Sequence, residues 1–152
     1  MDRIATIYTD GSCHTRHLNG GWAAIIFIDE GKAVLTGEAT DTTHNRMELM
    51  AVIKAIQYVK EQDPAVTAIR IISDSQYVVT LADRKEKLSA RSFTTKKGTD
   101  IRNADLVKLF LDLITDPPVE FIKIKAHQKS NNSLNFNIVA DKLSRSIVRK
   151  QP

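Results

Sequence analysis

The chain has 152 residues, 42% of them hydrophobic and 26% charged, enough for one domain with a buried core. Lys and Arg number 22 against 18 Asp and Glu, a net charge of +4 that suits a polyanionic partner without requiring one. The single cysteine, Cys13, excludes an internal disulfide, and neither a signal-peptide region nor a bilayer-length apolar run is present, so a soluble cytoplasmic protein with no membrane part is expected.

The first strand is read at Ile4 to Ser12 (IATIYTDGS), rich in β-branched and aromatic residues and free of proline. It ends in Asp10-Gly11. Read alone, that dipeptide turns a hairpin. At the end of a central strand it is instead a carboxylate facing a ligand, beside a glycine that lets backbone approach. A polar turn over 14 to 21 leads into Trp22 to Ile28 (WAAIIFI), opened by Gly20-Gly21. Asp29-Glu30-Gly31 turns the chain into Lys32 to Ala39, and the spacing predicts an antiparallel meander of three strands.

The period then changes. Thr42 or Thr43 can cap a helix over Asn45 to Lys60, whose Leu49, Val52, Ile53, Ile56 and Val59 share one face. Thr67 to Ser73 is the next strand, followed at once by Asp74-Ser75 and a short helix over Gln76 to Ala82. Residues 83 to 102 form a basic, solvated segment carrying Lys87, Lys96 and Lys97 among seven cations, with Phe93 its only aromatic. A helix from Asn103 to Thr115 is stopped by Pro117-Pro118. Val119 to Lys125 alternates as a strand, His127 to Leu134 is a polar loop, and a last helix runs from Phe136 to Lys150. This order implies an α/β sheet with helices packed on its faces.

Four carboxylates sit where open α/β sheets place ligands: Asp10 and Asp74 at strand ends, Glu48 and Asp141 early in helices. Singly, the two aspartates read as turn residues and the two helical acids as charges that suit a helix N-terminus. Together at one edge they would repel unless cations lay between them. Oxygen-only ligands point to magnesium or manganese, and a pair of such ions catalyses in-line phosphoryl displacement.

The stretches IYTDGSC (7 to 13), GGWAAII (20 to 26), THNRMELMA (43 to 51), SDSQYV (73 to 78), IRNADL (101 to 106) and VADKLSR (139 to 145) resemble type 1 ribonuclease H over nearly the whole chain. The resemblance implies a ribonuclease H-like fold: a mixed five-stranded sheet, three antiparallel strands then two parallel, with helices on both faces. It implies a single domain over 1 to 152. It further implies an endonuclease that hydrolyses the RNA strand of RNA–DNA hybrids and leaves 5′-phosphate and 3′-hydroxyl ends. Asp10, Glu48, Asp74 and Asp141 would hold two Mg2+ ions, with Mn2+ a possible substitute. Asn45 and Gln76 would bond base edges or sugars in the minor groove; their amides both donate and accept. Glu48 and the backbone of Gly11, Ser12 and Cys13 would meet RNA 2′-hydroxyls, the group that separates RNA from DNA. Thr43 and Asn103 would grip a DNA phosphate. His127 would assist proton transfer or product release. The basic segment 83 to 102, with Lys87, Lys96 and Lys97, would bind substrate phosphates and make affinity steeply salt-dependent.

The chain departs from the family pattern in places. HTRHLN (14 to 19) replaces a glycine- and proline-rich turn, Ala126 replaces a common glycine, and the basic segment lacks the usual tryptophans, which predicts a mobile protrusion. Two other readings share part of the pattern: a transposase- or resolvase-like enzyme on the same sheet, and a hybrid-binding protein that does not cleave. The Asn45 and Gln76 contexts and the small size disfavour the first; four mutually repelling acids disfavour the second. A monomer with no attached hybrid-binding or polymerase domain is expected.

Overall fold

A computed structural model describes residues 2 to 125 and 136 to 151. Strands β1 (Ile4–Cys13), β2 (Gly20–Ile28) and β3 (Gly31–Ala39) form the expected antiparallel meander. Helix α1 (His44–Gln62) then returns the chain to β4 (Ala68–Ser73), which lies parallel to β1. Three helices, α2 (Gln76–Asp83), α3 (Lys85–Ala90) and α4 (Ala104–Leu113), lead to β5 (Val119–Lys123), parallel to β4. Helix α5 (Phe136–Lys150) follows. The sheet order is β3-β2-β1-β4-β5, the predicted mixed five-stranded sheet.

Strand alternation sorts the residues between two faces. Ala5 and Ile7 of β1, Ala24 and Ile26 of β2, and Ile69 and Ile71 of β4 form one apolar face. It packs against Leu49, Val52, Ile53, Ile56 and Val59 of α1 and against Val107, Phe110 and Leu111 of α4, all buried. The opposite face carries Tyr8 and Phe27. Their rings meet Phe136 of α5 at centroid distances of 5.5 Å and 4.6 Å. Helices therefore cover both faces.

Most element ends lie within two residues of expectation, and three of the shifts have a tertiary reason. Strand β1 runs one residue past the expected Ser12. Its pairing with β2 continues to Cys13 opposite Gly20, whereas its pairing with β4 stops at Tyr8 opposite Ile72. The dipeptide is paired on one side only. Helix α4 begins at Ala104 because Asn103 sits in the left-handed region, with φ of 58°, and caps nothing with its side chain. Strand β5 ends at Lys123, two residues early, where β4 ends opposite it. Of the two candidate caps for α1, Thr43 is the cap, its hydroxyl accepting the Arg46 N–H at 3.2 Å, while Thr42 is buried.

The basic segment is anchored by apolar residues. Leu88 of α3 is buried in the main core, Phe93 packs against that core, and Lys108 Nζ lies 5.5 Å over the Phe93 ring. Lys87, Lys96 and Lys97 all face solvent.

Candidate active site

Strands β1 and β4 are parallel neighbours, but the chain leaves them in opposite directions across the sheet, β1 toward β2 and β4 toward β5. A crevice opens at the carboxyl ends of two strands related in this way. Asp10 lies two residues past the last β1–β4 pair and Asp74 directly follows β4. Both face the crevice because the backbone there is no longer shared between the two strands.

Two glycines bring the helices to it. A Cβ at Gly11 would lie 2.5 Å from the Glu48 backbone nitrogen, so only a glycine lets the first turns of α1 rest on β1. That contact lowers Glu48 beside Asp10. On the other face, a Cβ at Gly21 would lie 2.8 Å from Ile147 Cβ and from the Ser144 carbonyl oxygen. Gly21 therefore admits α5, and with it Asp141 and Ser144.

Carboxylate oxygens of Asp10, Glu48 and Asp74 come within 4.8 Å of one another. Asp10 is 3% exposed and Glu48 1%, while Asp74 is half-buried. The fourth acid, Asp141, is not one of these three, yet it is close enough to Asp10 to raise its carboxyl. Asp141 lines the same cavity, of about 310 Å³, but its Oδ1 accepts the Arg145 Nε–H at 3.1 Å. The buried oxygens are short of donors. Neither Glu48 oxygen has a hydrogen bond of good geometry among the described residues, and His44 Nε2 lies 3.3 Å from Oε1. The fully buried Ser144 hydroxyl lies 3.1 Å from Asp10 Oδ2 and 3.0 Å from the Asp141 backbone carbonyl, so its single proton serves one or the other.

The electrostatics follow from burial and crowding. The Asp10 carboxyl is pushed up to about 10, first by burial, then by the Glu48 and Asp74 charges and by Asp141. Burial also raises Glu48, opposed by His44, and the Glu48 carboxylate raises His44 in turn. Three crowded, mutually repelling carboxylates, one of them with both oxygens unpartnered, fit a hard cation, and among the described residues neither cysteine nor histidine joins the triad.

The remaining predicted residues do not all gather at the cavity. Gly11 and Ser12 line the cavity, and so do Asn45, exposed in the first turn of α1, and Gln76, exposed at the start of α2. Gln76 Nε2 donates to Thr80 Oγ1 at 2.9 Å. Cys13 lies just outside, its thiol donating to the Thr42 carbonyl at 3.5 Å. Thr43 and Asn103 stand to one side, linked through Arg46. The Thr43 hydroxyl caps the Arg46 N–H, and Arg46 Nη1 donates to Asn103 Oδ1 at 3.2 Å. Lys87, Lys96 and Lys97 do not line the cavity. His127 lies outside the described residues.

Four participants were not read from the sequence: Arg46, Tyr77, Ser144 and Arg145. Arg46 also forks onto both Asp105 carboxylate oxygens at 3.1 Å, and Asn103 Nδ2 donates to the Tyr77 hydroxyl at 3.0 Å. Ser144 and Arg145 sit three and four residues after Asp141, helical spacings that mark both as its neighbours. Arg46 and Tyr77 meet Asn103 only through the packing of α1, α2 and α4, which no local pattern announces.

Acid oxygens gathered in a cavity at the switch point of a mixed sheet define a metal-dependent hydrolase suited to phosphate esters. The RNase H family profile matches residues 2 to 149. A ribonuclease H of Chlorobium luteolum is 35% identical over the whole length of both chains, and that of Prosthecochloris aestuarii is 36% identical over 98% of each. The ribonuclease H of Caldicellulosiruptor saccharolyticus is 32% identical over 95% of each chain. In structure, LC9-RNase H1, described as a type 1 RNase H with the type 2 active-site motif, superposes with a TM-score of 0.84 at 20% identity, over all of this chain and 75% of that one. The chain belongs to the RNase H family and is, as a member of it, a metal-dependent endonuclease.

Proposed function

We propose that the chain hydrolyses the RNA strand of RNA–DNA hybrids, leaving 5′-phosphate and 3′-hydroxyl ends, with two Mg2+ ions held by Asp10, Glu48, Asp74 and Asp141. Mn2+ would substitute. The observation that carries this reading is the triad within 4.8 Å, with both buried Glu48 oxygens lacking a hydrogen bond of good geometry. When bound, the ions supply Lewis-acid activation of the attacking water and neutralisation of the leaving 3′ oxygen.

The chain's own residues do the rest. Glu48 and the Gly11–Cys13 backbone border the cavity where the RNA sugar would lie and sense its 2′-hydroxyl. Asn45 and Gln76 flank that cavity with amides able to meet the minor groove. On the α1–α4 side, Thr43 and Asn103 bind a DNA phosphate, with the Arg46 guanidinium on Asn103. Lys87, Lys96 and Lys97 add attraction for the hybrid as a whole. His127 serves proton transfer or product release.

The family match over 2 to 149 supports one RNase H domain over 1 to 152. Among the described residues no helix is long and apolar enough to cross a membrane. A monomer working in the cytoplasm, where a lone Cys13 stays reduced, completes the reading.

Asp10→Asn tests it. The amide keeps the size and removes a ligand charge. The variant should lose cleavage of a labelled hybrid by at least about a thousandfold, the scale on which single catalytic groups act, while binding the hybrid at least as tightly. Full cleavage by the variant would remove Asp10 from the chemistry.

A further inference from the structure

A second groove, of about 440 Å³, adjoins the acid cavity. Ser12, His44 and Arg145 line both, so one opening leads into the other. Beyond that border the groove is lined by His14 and Arg149, and among the described residues it contains no carboxylate. Its ionisable lining is therefore cationic or neutral, directly beside a cavity full of acids. Arg149 and His14 are exposed.

His14 is set up as a hydrogen-bond donor. Its Nδ1 accepts the backbone N–H groups of Arg16 and His17, each at 3.2 Å, and its ring stacks on His17 at 4.6 Å. An imidazole that accepts through Nδ1 carries its proton on Nε2. The unusual HTRHLN turn thus holds one N–H in a fixed ring beside two arginines.

We propose that this groove binds the phosphates of the RNA strand adjoining the scissile one, through Arg149, Arg145 and His14. The inference rests on the hybrid reading above and extends it. A strand whose phosphate enters the acid cavity must leave it again, and its neighbouring phosphate then lies at the cavity's edge. The acids repel that backbone, and cations along its path offset the repulsion. In the reading above the DNA strand lies at Thr43, Arg46 and Asn103, none of which lines the groove.

The test is hybrid binding by fluorescence anisotropy in EDTA, as a function of KCl, for the wild type, Arg149→Ala and His14→Ala. Both side chains are on the surface, and unchanged melting temperatures would establish that the variants fold. Arg149→Ala should weaken binding about 3- to 10-fold and lower the slope of log K against log salt by about 1, as expected for a single neutralised phosphate. His14→Ala should weaken it about 2- to 5-fold with little change in slope, as removal of a neutral donor does. Hybrids with neutral methylphosphonate linkages in one strand identify the strand bound. With a neutral RNA strand, wild type and Arg149→Ala should bind alike; with a neutral DNA strand, the difference should persist.

Unchanged affinity and slope in Arg149→Ala would overturn the proposal. So would a difference abolished by neutralising the DNA strand instead. Either result, with the wild type still cleaving hybrid in Mg2+, would leave the enzymatic reading intact; a wild type that does not cleave would remove that reading itself.

Discussion

Buried beside Glu48 and facing Asp74, the Asp10 carboxyl rises to about 10, whereas in the unfolded chain it returns to an ordinary value near 3.8. Between these values the folded chain keeps a proton that the unfolded chain has released. Stability of the metal-free protein is therefore greatest below the lower value and falls as pH rises toward the upper one. Its melting temperature should decline steadily from about pH 5 to about pH 9 in EDTA. Asp10→Asn should flatten that decline and raise stability near neutral pH by about 2 kcal/mol, or about 4 to 8 °C. A variant that melts lower, with the slope unchanged, would contradict this assignment. Ser144 is the companion case. Its hydroxyl, fully buried in α5, is within hydrogen-bond reach of both Asp10 Oδ2 and the Asp141 carbonyl, and we expect the metal-loaded carboxylate to accept its hydrogen bond. Ser144→Ala should fold, alanine being the best helix former. It should need about 10-fold more Mn2+ to reach half of the metal-induced rise in melting temperature, because a ligand carboxylate no longer has the group that orients it. An unchanged midpoint would make Ser144 a packing residue only.

At the scale of elements, the site depends on two helices resting directly on strands. Gly21→Ala places a methyl carbon 2.8 Å from Ile147 and the Ser144 carbonyl, so α5 must shift. The expected cost is about 2 to 3 kcal/mol, a fall of about 4 to 12 °C in melting temperature. Activity should fall as well, since Asp141 and Ser144 move with the helix. The elements themselves were legible because alternation and helical spacing reflect burial on one face. The reach of β1 was legible to within one residue, Ser12 expected and Cys13 observed; that its last five residues pair with β2 alone was not. Asp10-Gly11 carries a turn signal, and pairing with β2, which is non-local, overrides it. The left-handed Asn103 was equally hidden, because its side chain is occupied by Arg46 and Tyr77 from other helices. For the basic segment, replacing Lys87, Lys96 and Lys97 together by alanine should lower the salt dependence of hybrid binding by about 1 for each phosphate that these lysines neutralise. A slope equal to the wild type's would assign those lysines to solvent.

Across the whole molecule, the acids were legible as residue types at strand ends and helix starts, and their meeting point was not. It arises from the β3-β2-β1-β4-β5 order, which brings residues 10, 48 and 74 to one crevice from three separate elements. Asp141 comes to the same cavity on α5, paired with Arg145 and close enough to Asp10 to raise its carboxyl. Charge is divided along the surface in a way that the sum of +4 conceals: acids in the cavity, cations in the adjoining groove and on the 83 to 102 segment. Such a division suits a long polyanion that crosses a metal site. The most direct measurement is cleavage of four end-labelled duplexes of one sequence, RNA–DNA, RNA–RNA, DNA–DNA and DNA with a single ribonucleotide, each in Mg2+ and in EDTA. The expected result is cutting of the RNA strand of the hybrid alone, at several internal positions and only with metal. Cutting of the DNA duplex, or of the hybrid in EDTA, would contradict a metal-dependent ribonuclease H, and so would no cutting of the hybrid at all.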